Sequence, residues 1–113
     1  MYPRILIDRE KVKHNTKVIA EMANDKGIAI YAVTKVYCGN TDIAKASLEG
    51  GAVGLADSRI ENLKKLAEFD IEKIMLRIPM ISQAEEIVKY ADISLNSEIE
   101  TIKALGIEAK KNG

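Results

Sequence analysis

Tryptophan is absent from the 113 residues, and cysteine, histidine and phenylalanine each occur once. A lone Cys38 closes no internal disulfide, and His14 has no Cys or His partner at ligand spacing, so neither a disulfide scaffold nor a metal site is expected. No apolar run approaches the ~20 residues that a membrane helix needs. The opening MYPRILIDRE has neither the apolar stretch nor the cleavage site of a signal peptide, which makes the cytoplasm the expected compartment and a membrane an unexpected partner. Net charge is missing too. Seventeen basic residues balance seventeen acidic ones, which leaves no field to gather nucleic acid. With only two prolines and seven glycines, 47% hydrophobic and 30% charged residues, the chain has the composition of one folded domain.

Short apolar runs alternate with charged segments of helical period. Strands are expected at 4–8, 28–35, 52–57, 73–79 and 92–95, and helices at 9–26, 41–49, 59–69, 83–90 and 98–111. Three helix starts carry Ser followed three residues later by Glu (Ser58/Glu61, Ser82/Glu85 and Ser97/Glu100), the pattern of a capping box. Ile60, Leu63, Leu66 and Ala67 form one apolar stripe, and Ile99, Ile102 and Leu105 another. Gly27 and the pair Gly50-Gly51 fall where helices should stop. The last four strands start about 20 to 24 residues apart, close to one strand plus one crossover helix, which implies parallel strands.

An open doubly wound sheet and a piece of a β/α barrel both satisfy this order. A whole barrel takes typically ~250 residues, so a chain of this length holds about half of one. The expected organisation is an α/β fold: a leading strand and helix over 1–27, then four βα units over 28–113. On strand 73–79, Ile74, Leu76 and Ile78 alternate with Met75, Arg77 and Pro79; on strand 92–95, Ile93 and Leu95 alternate with Asp92 and Ser94. If the aliphatic rows pack on helices, Met75, Arg77, Ser94 and Asn96 face the other side, near the ligand-binding carboxyl ends of the strands. An inward Arg77 then serves either a ligand or a buried ion pair.

The run IAIYAVTKVYCGN places Lys35 at the close of an apolar strand, directly before a loop and a helix. A desolvated lysine there is a nucleophile able to form a Schiff base, whereas a solvated one only extends from the strand end into water. Placement alone leaves both readings open. Cys38 has no His near it in sequence and reads as an ordinary thiol. GxGxxG and Walker loops are lacking, and the glycines at 50, 51 and 54 read as a helix stop and a tight strand start. The charged clusters EKVKHNTK, ENLKK and EAKKNG read as solvated helix faces.

At AVTKVYCGN the chain resembles the lysine strand of the fold-type III pyridoxal-phosphate enzymes, the alanine racemase N-terminal barrel family. GGAVGLADSRIENLKKL is similar to that family's second strand and helix, KIMLRIPM to its third strand, and ADISLNSEIETIKAL to its fourth strand with helix. RILIDREKVKHNTKVI resembles the strand and helix that precede the barrel proper, so the likeness covers nearly the whole chain. VTKVYCG, LADSRIENLKKL and LRIPM look nearest to the ornithine/alanine racemase-like branch, while LADSRIEN also resembles the small pyridoxal-phosphate homeostasis proteins.

The resemblance implies pyridoxal 5'-phosphate as cofactor, a small amino-acid substrate, and Lys35 as the Schiff-base lysine that also moves the α-proton. It implies an N-terminal part of a racemase, or alternatively a cofactor-binding homeostasis protein without turnover; a non-catalytic half-barrel module is the third reading. The family's second base, a tyrosine of a C-terminal β-domain, and the arginine facing the pyridine nitrogen are not among these residues. Where the family has a phosphate-touching tyrosine four residues past the lysine, this chain has Gly39. Tyr37 is the nearest tyrosine, either a cofactor contact or loop packing; Arg77 and Asn96 are the remaining candidate cofactor contacts. A half barrel leaves sheet edges and an apolar face unpaired, so a homo-oligomer is expected, and the 113-residue chain alone is expected to be inactive.

Overall fold

A computed structural model describes residues 2–113. Five α-helices, α1 (Arg9–Asn24), α2 (Thr41–Glu49), α3 (Ile60–Lys65), α4 (Ala84–Tyr90) and α5 (Ile99–Asn112), alternate with four strands. The strands β1 (Tyr31–Val33), β2 (Gly54–Asp57), β3 (Glu72–Met75) and β4 (Ile93–Ser94) form one parallel sheet in the order 1-2-3-4. Consecutive parallel neighbours joined by helices are the arrangement of the N-terminal half of a (β/α)8 barrel. Short 3-10 turns at Lys35–Tyr37, Leu66–Glu68 and Ile81–Gln83 lie between these elements.

Segment 4–8 does not form the expected strand. Ile5 and Leu6 are exposed and the segment takes no part in the sheet, because a strand needs a neighbour to receive its backbone groups and none stands beside it. Its last residue has another task. The Asp8 carboxylate accepts from the N–H groups of Glu10 (3.0 Å) and Lys11 (3.2 Å) and so caps α1. Asn40 caps α2 in the same way, at 3.1 Å from Asp42 N and 3.2 Å from Ile43 N. The three serines do not cap. Helices α3 and α5 start one residue later than Ser58 and Ser97 require, from Arg59 and Glu98, and a 3-10 turn precedes α4, so no serine oxygen stands over a first-turn N–H.

The core lies between the sheet and its helices: Ala44, Leu55, Ile60, Leu63, Leu66, Met75 and Ile87 form one buried cluster. Met75 is only 2% exposed, which corrects the expected strand parity. Leu55, Asp57, Lys73 and Met75 point to the helix-covered side, and Ser94 pairs in register with Met75. Ile74 and Ile93 pair with each other and with Ala56 on the opposite, open side, the side that faces the interior of a barrel.

Gly54 is required at the amino end of that open side. A Cβ there would stand 2.6 Å from the Glu72 carbonyl oxygen and would overlap the Tyr31 ring. The ring therefore lies across the glycine, and the Tyr31 hydroxyl donates to the Glu72 carboxylate two strands away. On the outer side, α1 and α2 meet at Gly50, where a Cβ would be 2.6 Å from the Lys13 carbonyl.

Candidate active site

The carboxyl end of β1 carries the most constrained backbone near Lys35. Thr34 still belongs to the ladder through its N–H to the Ala56 carbonyl (2.9 Å). Its carbonyl accepts from Tyr37 N (3.3 Å) and Gly39 N (3.0 Å), while the Lys35 carbonyl accepts from Cys38 N (3.2 Å). Cys38 and Gly39 follow with φ of 53° and 67°, a double left-handed turn that brings the chain back to the cap of α2. A Cβ at Gly39 would lie 3.0 Å from the Asn62 side chain and 3.1 Å from its carbonyl, so only glycine passes α3 here.

Beneath the turn lies a buried carboxylate. Asp57 has no exposed surface and receives four contacts: Thr34 Oγ1 at 2.5 Å, Arg59 N at 2.8 Å, and Asn62 Nδ2 at 3.1 Å from each oxygen. Thr34 is as fully buried, and Asn62 nearly so. These hydrogen bonds stand in for the water that a buried carboxyl group loses. The residues sit on three elements, which ties the ends of β1 and β2 to α3. Sequence reasoning passed over all three. ENLKK is not a solvated face: Asn62 and Leu63 are buried, Lys64 pairs with Glu86 at 2.5 Å, and Lys65 Nζ donates to the Cys38 carbonyl at 2.9 Å. The available signs were an acid inside the apolar strand GLAD and an amide inside the apolar stripe of α3.

Lys35 itself is exposed, in the 3-10 turn just past β1. Among the described residues its amine makes neither an ion pair nor a hydrogen bond, as is true of Lys11, Lys17, Lys26, Lys45, Lys89 and Lys110; what sets Lys35 apart is its place at the carboxyl end of β1. The chain leaves the extended conformation at Thr34, with φ of -99° and ψ of -2°, so Lys35 opens the turn and no longer follows the alternation of β1. Tyr37 packs against the core, and its hydroxyl is buried without a bonded partner. Burial pushes its phenol pKa up and the nearby Asp57 carboxylate adds to the rise; the Ser47 hydroxyl tempers it without reaching bonding geometry.

The other two candidates lie apart from this turn. Arg77 is exposed on the loop after β3 and lines a cavity of about 270 Å³ with Ser58, Arg59, Glu61 and Gln83. Asn96 donates to the Ser94 carbonyl (3.1 Å) and hydroxyl (2.8 Å), and its own carbonyl oxygen is buried without a partner. It borders a groove of about 550 Å³ against α4 and α5. Tyr37, Arg77 and Asn96 thus line three different cavities. Arg77 and Asn96 each lie two residues past the last residue of their strand, Met75 and Ser94.

A parallel half barrel with a free lysine at the carboxyl end of its first strand defines a class: β/α-barrel domains whose chemistry is presented at the strand ends. The alanine racemase N-terminal domain matches residues 7–113, and the chain belongs to that family. It is 46% identical over 110 residues to the ornithine racemase of Acetoanaerobium sticklandii, a match covering 97% of this chain and 31% of that protein. To the lysine racemase of Thermotoga maritima it is 35% identical over 117 residues, covering 99% of this chain and 33% of that one. The chain therefore spans about a third of the length of these relatives. The crystal structure of alanine racemase from E. faecalis superposes with a TM-score of 0.72 over 93% of this chain and 29% of its own, at 20% identity, and shows the shared fold.

Proposed function

We propose that this chain is the N-terminal part of a pyridoxal-phosphate-dependent amino-acid racemase in which the Lys35 amine is the point of covalent attachment for the cofactor. The observation that carries this reading is the unpaired amine of Lys35 at the carboxyl end of β1, in a chain of this family. An aldehyde cofactor requires an accessible amine that no other side chain holds, and Lys35 meets that requirement. When bound, the cofactor withdraws electron density from the substrate α-carbon, which makes its proton removable.

Lys35 Nζ takes that proton and returns it on one face. Inversion needs a second group on the other face, supplied by residues outside these 113. The turn around Lys35 keeps its backbone fixed, so the amine approaches the α-carbon at a set distance. Tyr37 serves loop packing in this reading, since its hydroxyl is turned into the core. A small amino-acid substrate, a cytoplasmic setting and self-association through the open side belong to the same proposal. The names of the two relatives, ornithine and lysine racemase, make amino acids with a basic side chain the first substrates to test.

Titrating the chain with pyridoxal phosphate and following visible absorbance tests the attachment. The wild type is expected to show the band of a lysine-bound cofactor, and Lys35→Ala to show only free aldehyde. An identical band in both would overturn the reading.

A further inference from the structure

We propose that Asp57 is a positioning residue for Lys35, acting through Thr34 and Asn62; its functional meaning rests on the cofactor reading above. Fully buried, Asp57 has no Lys, Arg or His within ion-pair reach among the described residues. Burying a carboxyl group is costly, and an apolar residue at the end of β2 would fold more cheaply. What the carboxylate gains is geometric. It draws donors from β1, from the backbone ahead of α3 and from α3 itself to one point directly under Thr34.

Thr34 is the residue before Lys35, and it is held from both ends. Its hydroxyl is bound by Asp57, and its carbonyl collects the N–H groups of Tyr37 and Gly39. Helix α3 holds the rest of the loop at two further points: Asn62 lies against Gly39, and Lys65 Nζ reaches the Cys38 carbonyl at 2.9 Å. The lysine backbone is thereby fixed before any cofactor arrives, so binding does not have to order it. The Lys35 side chain makes no bond of its own; the restraints on the residue come from its carbonyl, which accepts from Cys38 N, and through Thr34 and the loop. The Asp57 network is therefore a brace for the lysine turn supplied by the next βα unit.

The test compares wild type with Thr34→Val, Thr34→Ser and Asp57→Asn in the full chain. One readout is amide hydrogen exchange at Tyr37 and Gly39, which needs no cofactor. The other is the pyridoxal phosphate concentration that half-saturates the absorbance of the lysine adduct, followed against pH. Thr34→Val and Asp57→Asn are expected to exchange faster at both amides, to need roughly tenfold more cofactor and to displace the pH midpoint of the adduct. Thr34→Ser keeps the hydroxyl and is expected to restore all three. Thr34→Val retains the volume of threonine; if it shows wild-type exchange and wild-type half-saturation, the proposal is overturned. A wild type without Lys35-dependent absorbance would remove the cofactor reading alone, and exchange at Tyr37 and Gly39 would then decide whether Asp57 braces the turn.

Discussion

The two ends of the sheet solve the same problem, joining neighbouring strands, with different chemistry. At the amino end the Tyr31 ring lies over Gly54 and its hydroxyl meets the Glu72 carboxylate at an exposed position, a contact that water competes for. At the carboxyl end Thr34, Asp57 and Asn62 make a buried network that water does not reach. Hydrogen bonds that converge on one group in a low-dielectric site resist displacement far more than an exposed one. The difference places rigidity on the side of Lys35, the end where β/α barrels carry chemistry.

Four substitutions test that contrast. Asp57→Ala leaves the buried Asn62 amide without its acceptor and the Thr34 hydroxyl with only the Ala56 carbonyl at 3.4 Å, and is expected to lower stability by about 3 kcal/mol in denaturant titration. Gly54→Ala acts at the other end: its Cβ must displace the Tyr31 ring and the Glu72 carbonyl, at a cost of about 1–3 kcal/mol in the same measurement. If Gly54→Ala proves the more damaging, the two ends do not differ as described.

Tyr37→Phe removes a buried hydroxyl that has no partner, so its melting temperature is expected to be unchanged or slightly raised. A marked loss would mean that the hydroxyl is bonded in solution. Tyr31→Phe is expected to have the smallest effect, a slight loss at neutral pH, where the exposed Glu72 hydrogen bond is made, that shrinks in alkali as the wild type loses that bond. The Glu72 hydrogen bond raises the Tyr31 pKa above its ordinary 10.0. A group whose pKa is raised by folding contributes stability that is fully present below pH 10 and is lost as pH climbs through the folded value. Tyr37 shifts the same way, through burial. Stability should thus be flat with respect to these two groups up to about pH 9 and fall beyond it, and each Phe variant should flatten part of that fall. A wild-type curve that rises above pH 10 would reverse the sign assigned to both.

The order of strands and helices was legible because each helix carries a 3.6-residue apolar stripe and each barrel strand an apolar run. Strand parity was not, for a physical reason: in a parallel sheet meant to be covered on both sides, Ile74 and Met75 are both apolar, and alternation carries no polarity to read. Segment 4–8 carries a short apolar run like a strand, but pairing depends on a neighbour that local sequence does not encode. Lys35 stood out because it ends an apolar run. Asp57 and Asn62 did not, since each looks like an ordinary polar residue until β2 and α3 bring them to Thr34. Arg77 and Asn96 lie on loops past their strands and border different cavities, a placement that local sequence does not encode.

Racemisation by the 113 residues alone should be negligible with L-ornithine, L-lysine or L-alanine, because one positioned group cannot serve both faces of the α-carbon. The central claim, that Lys35 is presented for covalent attachment, is tested most directly by reducing a mixture of chain and pyridoxal phosphate with borohydride and mapping the added mass by peptide digestion. The account predicts the label on the peptide carrying Lys35, and its loss in Lys35→Arg. A label spread evenly over surface lysines such as Lys45, Lys89 and Lys103, with Lys35 no richer than they are, would contradict it.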